Sequence, residues 1–203
     1  MEVALFFRGV IIGLSIAAPV GPIGVLCIRR TLTDGCPYGI VSGLGAATAD
    51  AIYGATAGFG LTLVSSILIS RLEWLRIIGG IFLCYLGVKT LSSRPAGQSN
   101  AGEAQSLAGA YASTFFLTLT NPMTILSFGA VFAGLGLGCE GGDYVSAGVT
   151  VLGVFVGSAS WWLILTCGIG IFREKFDHRA RIWVNRISGA IIASFGLIAL
   201  IRP

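Results

Sequence analysis

The sequence predicts an all-α polytopic membrane protein, with six transmembrane helices arranged as two inverted three-helix repeats. Three observations predict it. Hydrophobic residues make up 55% of the 203 residues and charged residues only 11%, whereas a soluble chain carries about 25% charged residues to cover its surface. The apolar residues gather into six segments, roughly 4–28, 37–69, 75–91, 107–137, 145–172 and 184–201, each within or above the ~17–25 residues that a span needs. The last three segments also resemble the first three. The chain reads as a single transmembrane domain, 1–203, with repeat one at about 1–92 and repeat two at about 107–203.

The first segment begins Met1-Glu2 and carries Arg8 inside its apolar run. It lacks the basic leader of a signal peptide and is expected to be a retained span. Near its middle lies Ala18-Pro19-Val20-Gly21-Pro22. Unpaired backbone groups are costly in lipid, so a helix is broken there only where protein, water or a ligand receives them. The second segment holds Asp50, the one acid inside any span. Gly39, Gly43, Ala47, Ala51 and Ala55 recur at every fourth position beside it, a small-residue stripe suited to close helix packing. Asp50 lies about 60° from Ala47 around the helix, so it faces the bundle. An intramembrane acid there suits a proton carrier or an anchor for a substrate ammonium. Gly58 and Gly60 are places for this segment to bend or end.

The third segment contains Trp74, Gly80 and Gly87, and the sixth repeats that spacing at Trp183, Gly189 and Gly196, a shift of 109. The second and fifth align at a shift of 108, pairing Gly45 with Gly153, Asp50 with Ser158 and Tyr53 with Trp161. The first and fourth align through Pro19 and Pro122, a shift of 103. Halves of three spans each insert in opposite directions, as in many secondary transporters. The fourth segment carries its own break, Thr120-Asn121-Pro122. Asparagine is a favoured helix N-cap and proline a favoured first residue, so a second half-helix is expected to start here, and another at Pro22. Each would aim its positive dipole end at the membrane interior, where a carboxylate is the natural guest.

Nine of the 13 basic residues (Arg29, Arg30, Lys89, Arg94, Arg173, Lys175, Arg179, Arg181 and Arg186) fall on one side of this topology. The other side holds Arg8, Arg71, Arg76 and Arg202. The richer side is cytoplasmic by the positive-inside rule, which puts both termini outside. The basic character is thus a topology signal, and no nucleic-acid partner is expected. Cys27, Cys36, Cys84, Cys139 and Cys167 form no CxxC pair and read as apolar fillers, with no metal site or cofactor. His178, the only histidine, lies in the loop 173–186. No span contains a histidine and no hydrolase or nucleotide-binding motif occurs, so an enzyme is not expected. Ser158, Ser160 and Thr166 are weaker pore candidates. Trp74 and Trp183 suit interfacial anchors, and Trp161 and Trp162 suit bundle fillers.

Three motifs in order carry a resemblance over nearly the whole chain: Gly13-Leu14-Ser15-Ile16-Ala17-Ala18-Pro19-Val20-Gly21-Pro22, then Gly43-Leu44-Gly45 leading to Asp50, then Asn121-Pro122. Together they are similar to the LysE/RhtB family of bacterial amino-acid exporters, and Arg29-Arg30 resembles its lysine and arginine branch. The resemblance implies a proton-driven exporter of amino acids or related small metabolites in the cytoplasmic membrane. It implies substrate-binding roles for Pro19, Gly21, Pro22, Asn121 and Pro122, and proton coupling or amine binding for Asp50. Ile23-Gly24 and Met123 depart from the polar residues that many members have there. The expected partners are a small-molecule substrate, protons and the lipid bilayer; assembly as a homo-oligomer is left open. The competing reading is a non-transporting membrane scaffold or assembly protein, whose interior would be dry.

Overall fold

A computed structural model describes residues 2–19, 21–59, 71–93, 106–135, 144–173 and 176–201, and every regular element in it is helical. In chain order the helices are α1 (Glu2–Ala17), α2 (Pro22–Thr33), α3 (Cys36–Gly58), α4 (Leu72–Ser92), α5 (Leu107–Leu119), α6 (Pro122–Leu135), α7 (Tyr144–Phe172) and α8 (His178–Ile201). Proline occupies the first turn of α2 and α3, where its missing N–H costs nothing. Ser106 caps α5 by accepting from the Gly109 N–H at 3.0 Å. Gly35 separates α2 from α3 at φ 119°, a conformation that side chains with a Cβ resist.

The six expected spans do not appear as six apolar rods. Among the described residues, α4, α7 and the stretch Arg179–Ile201 of α8 are each long and apolar enough to cross a bilayer, and α1 and α2, bent by 83° at the break, are long and apolar enough only when taken together. The other two expected spans depart for physical reasons. The 23 residues of α3 would reach across ~30 Å of hydrocarbon, but the helix is built of Gly, Ala, Ser and Thr. It is wrapped by protein, with Ile52 its one strongly exposed large apolar residue. A helix that meets other helices needs small residues more than apolar bulk. The fourth span is divided into α5 and α6. The described helix of the second span covers Cys36–Gly58; the expected remainder of that span (60–69), the expected end of the fourth span (136–137) and Cys139 lie outside the described residues.

Lipid-facing character falls on the outer helices. Ile78, Ile81, Tyr85 and Val88 of α4, Ile164 and Ile171 of α7, and Ile187, Leu197 and Ile201 of α8 are all exposed. Trp74 and Trp183 are exposed at the starts of their helices, where interfacial anchors belong.

Glycine sets the helix contacts, and the contacts come in matched pairs. A Cβ added at Gly80 would lie 3.2 Å from the Gly196 carbonyl oxygen, and one at Gly189 would lie 2.8 Å from that of Gly87. One at Gly87 would lie 2.6 Å from the Ala193 nitrogen, and one at Gly196 would lie 2.7 Å from the Cys84 nitrogen. Both pairs relate α4 to α8 at the shift of 109. Likewise Gly45 of α3 abuts Tyr111 and Phe115 of α5, and Gly153 of α7 abuts Phe6 and Val10 of α1. The last correspondence pairs Phe6 with Tyr111, a shift of 105, whereas the second half-helices start at Pro22 and Pro122, a shift of 100. The alignment of Pro19 with Pro122 is therefore corrected. The two segments differ in length at the break itself, four residues against two, and not only in a downstream loop.

Candidate functional site

The first break is made by local chemistry. Pro19 disfavours helix at Ala18, and the last backbone bond of α1 runs from Ala18 N–H to Leu14 at 2.9 Å. Gly21 is extended, at φ −109° and ψ −163°, and no side chain caps α2. A Cβ at Gly21 would meet nothing within 4 Å, so glycine leaves bare backbone facing open space. The second break is built differently. Asn121 Oδ1 accepts from Met123 N–H at 3.1 Å, and the Asn121 carbonyl accepts from Thr124 and Ile125 at 3.1 and 3.3 Å. The N–H groups of Met123, Thr124 and Ile125 are thus all satisfied and Pro122 has none to offer, so the free donors expected at this break are not present. The Tyr53 hydroxyl donates to the Leu119 carbonyl that the break frees.

Both breaks open onto one cavity of about 780 Å³. Pro19, Gly21 and Pro22 line it from one break, and Asn121 and Pro122 from the other; Asp50 stands on the same wall. All six residues singled out in the sequence therefore meet in one space. Asp50 is only 3% exposed, and its Oδ2 accepts from Ser158 Oγ at 2.7 Å. Ser158 is the residue that the 108-shift pairs with Asp50, so equivalent positions of α3 and α7 touch. Among the described residues Ser158 is the only hydrogen-bond partner of Asp50, which leaves Oδ1 to the cavity.

Two further lining residues were not recognised in the sequence. Arg76, at the edge of the predicted segment 75–91 and a topology signal in the sequence, sits inside α4 and lines the cavity, with Nε buried and without a hydrogen-bond partner. Trp162 was read as filler; it too lines the cavity, and its indole N–H is buried without a partner. A charge inside the predicted segment 75–91 was the signal for Arg76. The sequence held no comparable signal for Trp162.

The cavity takes its walls from the first half of α4 (Leu72 to Leu83), the last turns of α8 (Phe195 to Ala199) and the start of α6. Those parts lie toward the end of the bundle that holds both termini. The opposite end holds the two arginines that follow the first predicted apolar segment. Arg29 and Arg30 lie in α2, 6% and 1% exposed. Arg30 Nη1 donates to Ser42 Oγ at 2.8 Å, Thr114 Oγ1 at 2.7 Å and the Ala110 carbonyl at 3.0 Å, and Nη2 donates to Ser113 Oγ at 2.8 Å. Arg29 donates to Asn185 Oδ1 at 2.8 Å, Ser93 Oγ at 2.9 Å and Asp34 at 3.0 Å, the last an ion pair. This network ties α2 to α3, α4, α5 and α8. His178, expected in a loop, begins α8. Among the described residues no three His, Cys, Asp or Glu side chains gather as a metal site, and Cys27, Cys36, Cys84 and Cys167 are free thiols.

A bundle of apolar helices with two broken members around an internal cavity defines a membrane translocator. The chain belongs to the LysE type translocator family, whose model matches residues 14–202; this is a family of transporters and not of enzymes. It is 26% identical to the putative amino acid efflux protein YcgF of Bacillus subtilis over 196 residues, covering 95% of this chain and 93% of that protein. It is 25% identical to the threonine efflux protein of Escherichia coli K12, covering 66% and 69%, and 25% identical to the uncharacterized membrane protein YahN of the same strain, covering 84% and 77%. No solved structure matches.

Proposed function

We propose that this protein is an alternating-access secondary transporter that exports amino acids or related small metabolites across the cytoplasmic membrane in exchange for protons. The observation that carries the reading is the single cavity on which both helix breaks and Asp50 converge. A scaffold has no use for bare backbone and a lone acid facing a space of this size. The names of the relatives, an amino acid efflux protein and a threonine efflux protein, support the same substrate class. The matched glycine contacts support a chain of six crossings in two inverted halves, about 1–92 and about 107–203.

In this reading the termini lie outside and the cavity faces outward, while the Arg29–Arg30 network closes the cytoplasmic end. The α-carboxylate of the substrate docks beside Pro19, Gly21 and Pro22 and beside Asn121 and Pro122, where helix N-termini favour negative charge. Asp50 holds either the substrate ammonium or a proton, and not both. Substrate leaving to the outside frees Asp50 for a proton, and a proton released inside frees it for the next substrate. Exchange follows because one carboxylate serves two cations.

Metabolite profiling of medium from cells with and without the protein tests the reading. Accumulation of one or more amino acids is expected. An unchanged profile, with no amino-acid counterflow in proteoliposomes, overturns it. Orientation has its own test. Arg179→Cys in a cysteine-free background should react with an impermeant maleimide only after cells are permeabilised, because the start of α8 faces the cytoplasm. Ready labelling in intact cells reverses the topology.

A further inference from the structure

We propose that Arg76 is the side chain that takes the substrate carboxylate, and that the cavity is therefore a site for α-amino acids of zero net charge. The proposal rests on the reading of the cavity as an amino-acid site and names the residue that the sequence motifs leave out. Arg76 and Asp50 are the one base and the one acid among the described lining residues. They are not paired with each other, since the only ion pair among the described residues is Arg29 with Asp34.

Two side-chain donors on the wall lack acceptors. The Arg76 Nε is buried without a partner, and so is the Trp162 indole N–H. The N-terminus of α2, which lines the same cavity, has no side-chain cap. Among the described residues Arg76 makes no hydrogen bond at all, whereas Arg29 and Arg30 spend their guanidinium donors on hydroxyl, amide, carbonyl and carboxylate oxygens. Buried donors are nearly always satisfied in folded proteins. Two buried donors without partners and one helix N-terminus without a side-chain cap line one space; that setting suits an anionic ligand, and the planar fork of arginine fits the two oxygens of a carboxylate.

Charge then sets the class of substrate. An α-amino acid brings one ammonium and one carboxylate, which Asp50 and Arg76 can each neutralise. A second cationic group, as on lysine, finds no second acid on the described wall, and burying an unpaired charge is strongly disfavoured. The mostly apolar remainder, including Leu72, Leu83, Leu117 and Phe195, suits an uncharged side chain.

Counterflow with purified protein in proteoliposomes tests this, using radiolabelled L-threonine, L-leucine and L-lysine, with the decarboxylated amines of the first two as competitors. The wild type is expected to exchange at least one of the neutral amino acids in preference to lysine. Each amine should compete at least ~10-fold more weakly than its parent acid. Arg76→Gln should raise the half-saturation concentration for the acid about 10- to 100-fold and leave competition by the amine unchanged, with Arg76→Lys intermediate. Amines that compete as well as acids in the wild type overturn the proposal even if the variants fail to accumulate. So does a folded Arg76→Gln protein with unaltered half-saturation, or a clear preference for lysine. A folded wild type that exchanges no amino acid overturns the transporter reading and this proposal with it, an outcome distinct from the loss of carboxylate selectivity alone.

Discussion

Asp50→Asn is expected to reduce proton-driven export to background while the protein remains folded and inserted. Asparagine has almost the same shape, and its side-chain oxygen can still accept from Ser158 Oγ, which now holds Asp50 at 2.7 Å. What is lost is the ability to hold a proton in one state and an ammonium in the other. Because the change also removes a buried carboxylate, thermal stability in detergent should stay level or rise, since desolvating a charge is costly. The measurement is amino-acid efflux from proteoliposomes under an imposed pH gradient, alongside a melting curve. Efflux with an unchanged pH dependence would make Asp50 a structural acid. A collapse in melting temperature would show that its bond to Ser158 holds the bundle together, in contradiction to the role given to it here.

The second large effect concerns packing. Gly13→Leu should destabilise the protein by about 3 kcal/mol or more, lowering its melting temperature by roughly 6–12 °C. The added Cβ would meet the Val154 carbonyl oxygen well inside van der Waals contact and would lie 2.9 Å from the Ser158 nitrogen. Both are backbone atoms of α7, so no rotamer change relieves the clash. The helices must separate, and Ser158 moves with α7, so exchange activity should fall in whatever protein remains folded. Gly168→Leu is the control. It lies on α7, the helix that Gly13 packs against, but a Cβ there meets nothing within 4 Å, and its melting curve should match the wild type. Equal behaviour of the two variants would mean that the contact of α1 with α7 does not exist as described.

What the sequence made legible was local. Proline and asparagine act on the backbone within a few residues, so the new helix starts at Pro22 and Pro122 could be read to the residue. Asp50 was legible because a lone acid in a span demands a polar setting. What stayed hidden depends on distant partners. Arg29-Arg30 and Arg76 have the sequence appearance of cations at a membrane edge; only the approach of α3, α5 and α8 turns the first pair into a buried network, and only the cavity gives the third a task. The low apolarity of α3 has the same origin, because the helices that wrap it come from both halves of the chain. The register between the two broken segments was misjudged because three prolines, Pro19, Pro22 and Pro122, offered two alignments, and helix contacts made more than 100 residues apart decide between them.

The bond between Asp50 and Ser158 has a thermodynamic consequence. The two positions that the shift of 108 pairs in the sequence meet, yet one bears a carboxyl and the other a hydroxyl, so the pair can hold one exchangeable proton. On the proposed mechanism the stoichiometry is then one proton for each substrate molecule, and a neutral zwitterion leaving against one proton moves one net charge. The driving force is about 2.3 kcal/mol for each 100 mV, which sustains a concentration ratio of roughly 50 between outside and inside. Such an exporter works as an overflow valve, emptying a cell in which its substrate has accumulated and stalling once the ratio reaches that ceiling.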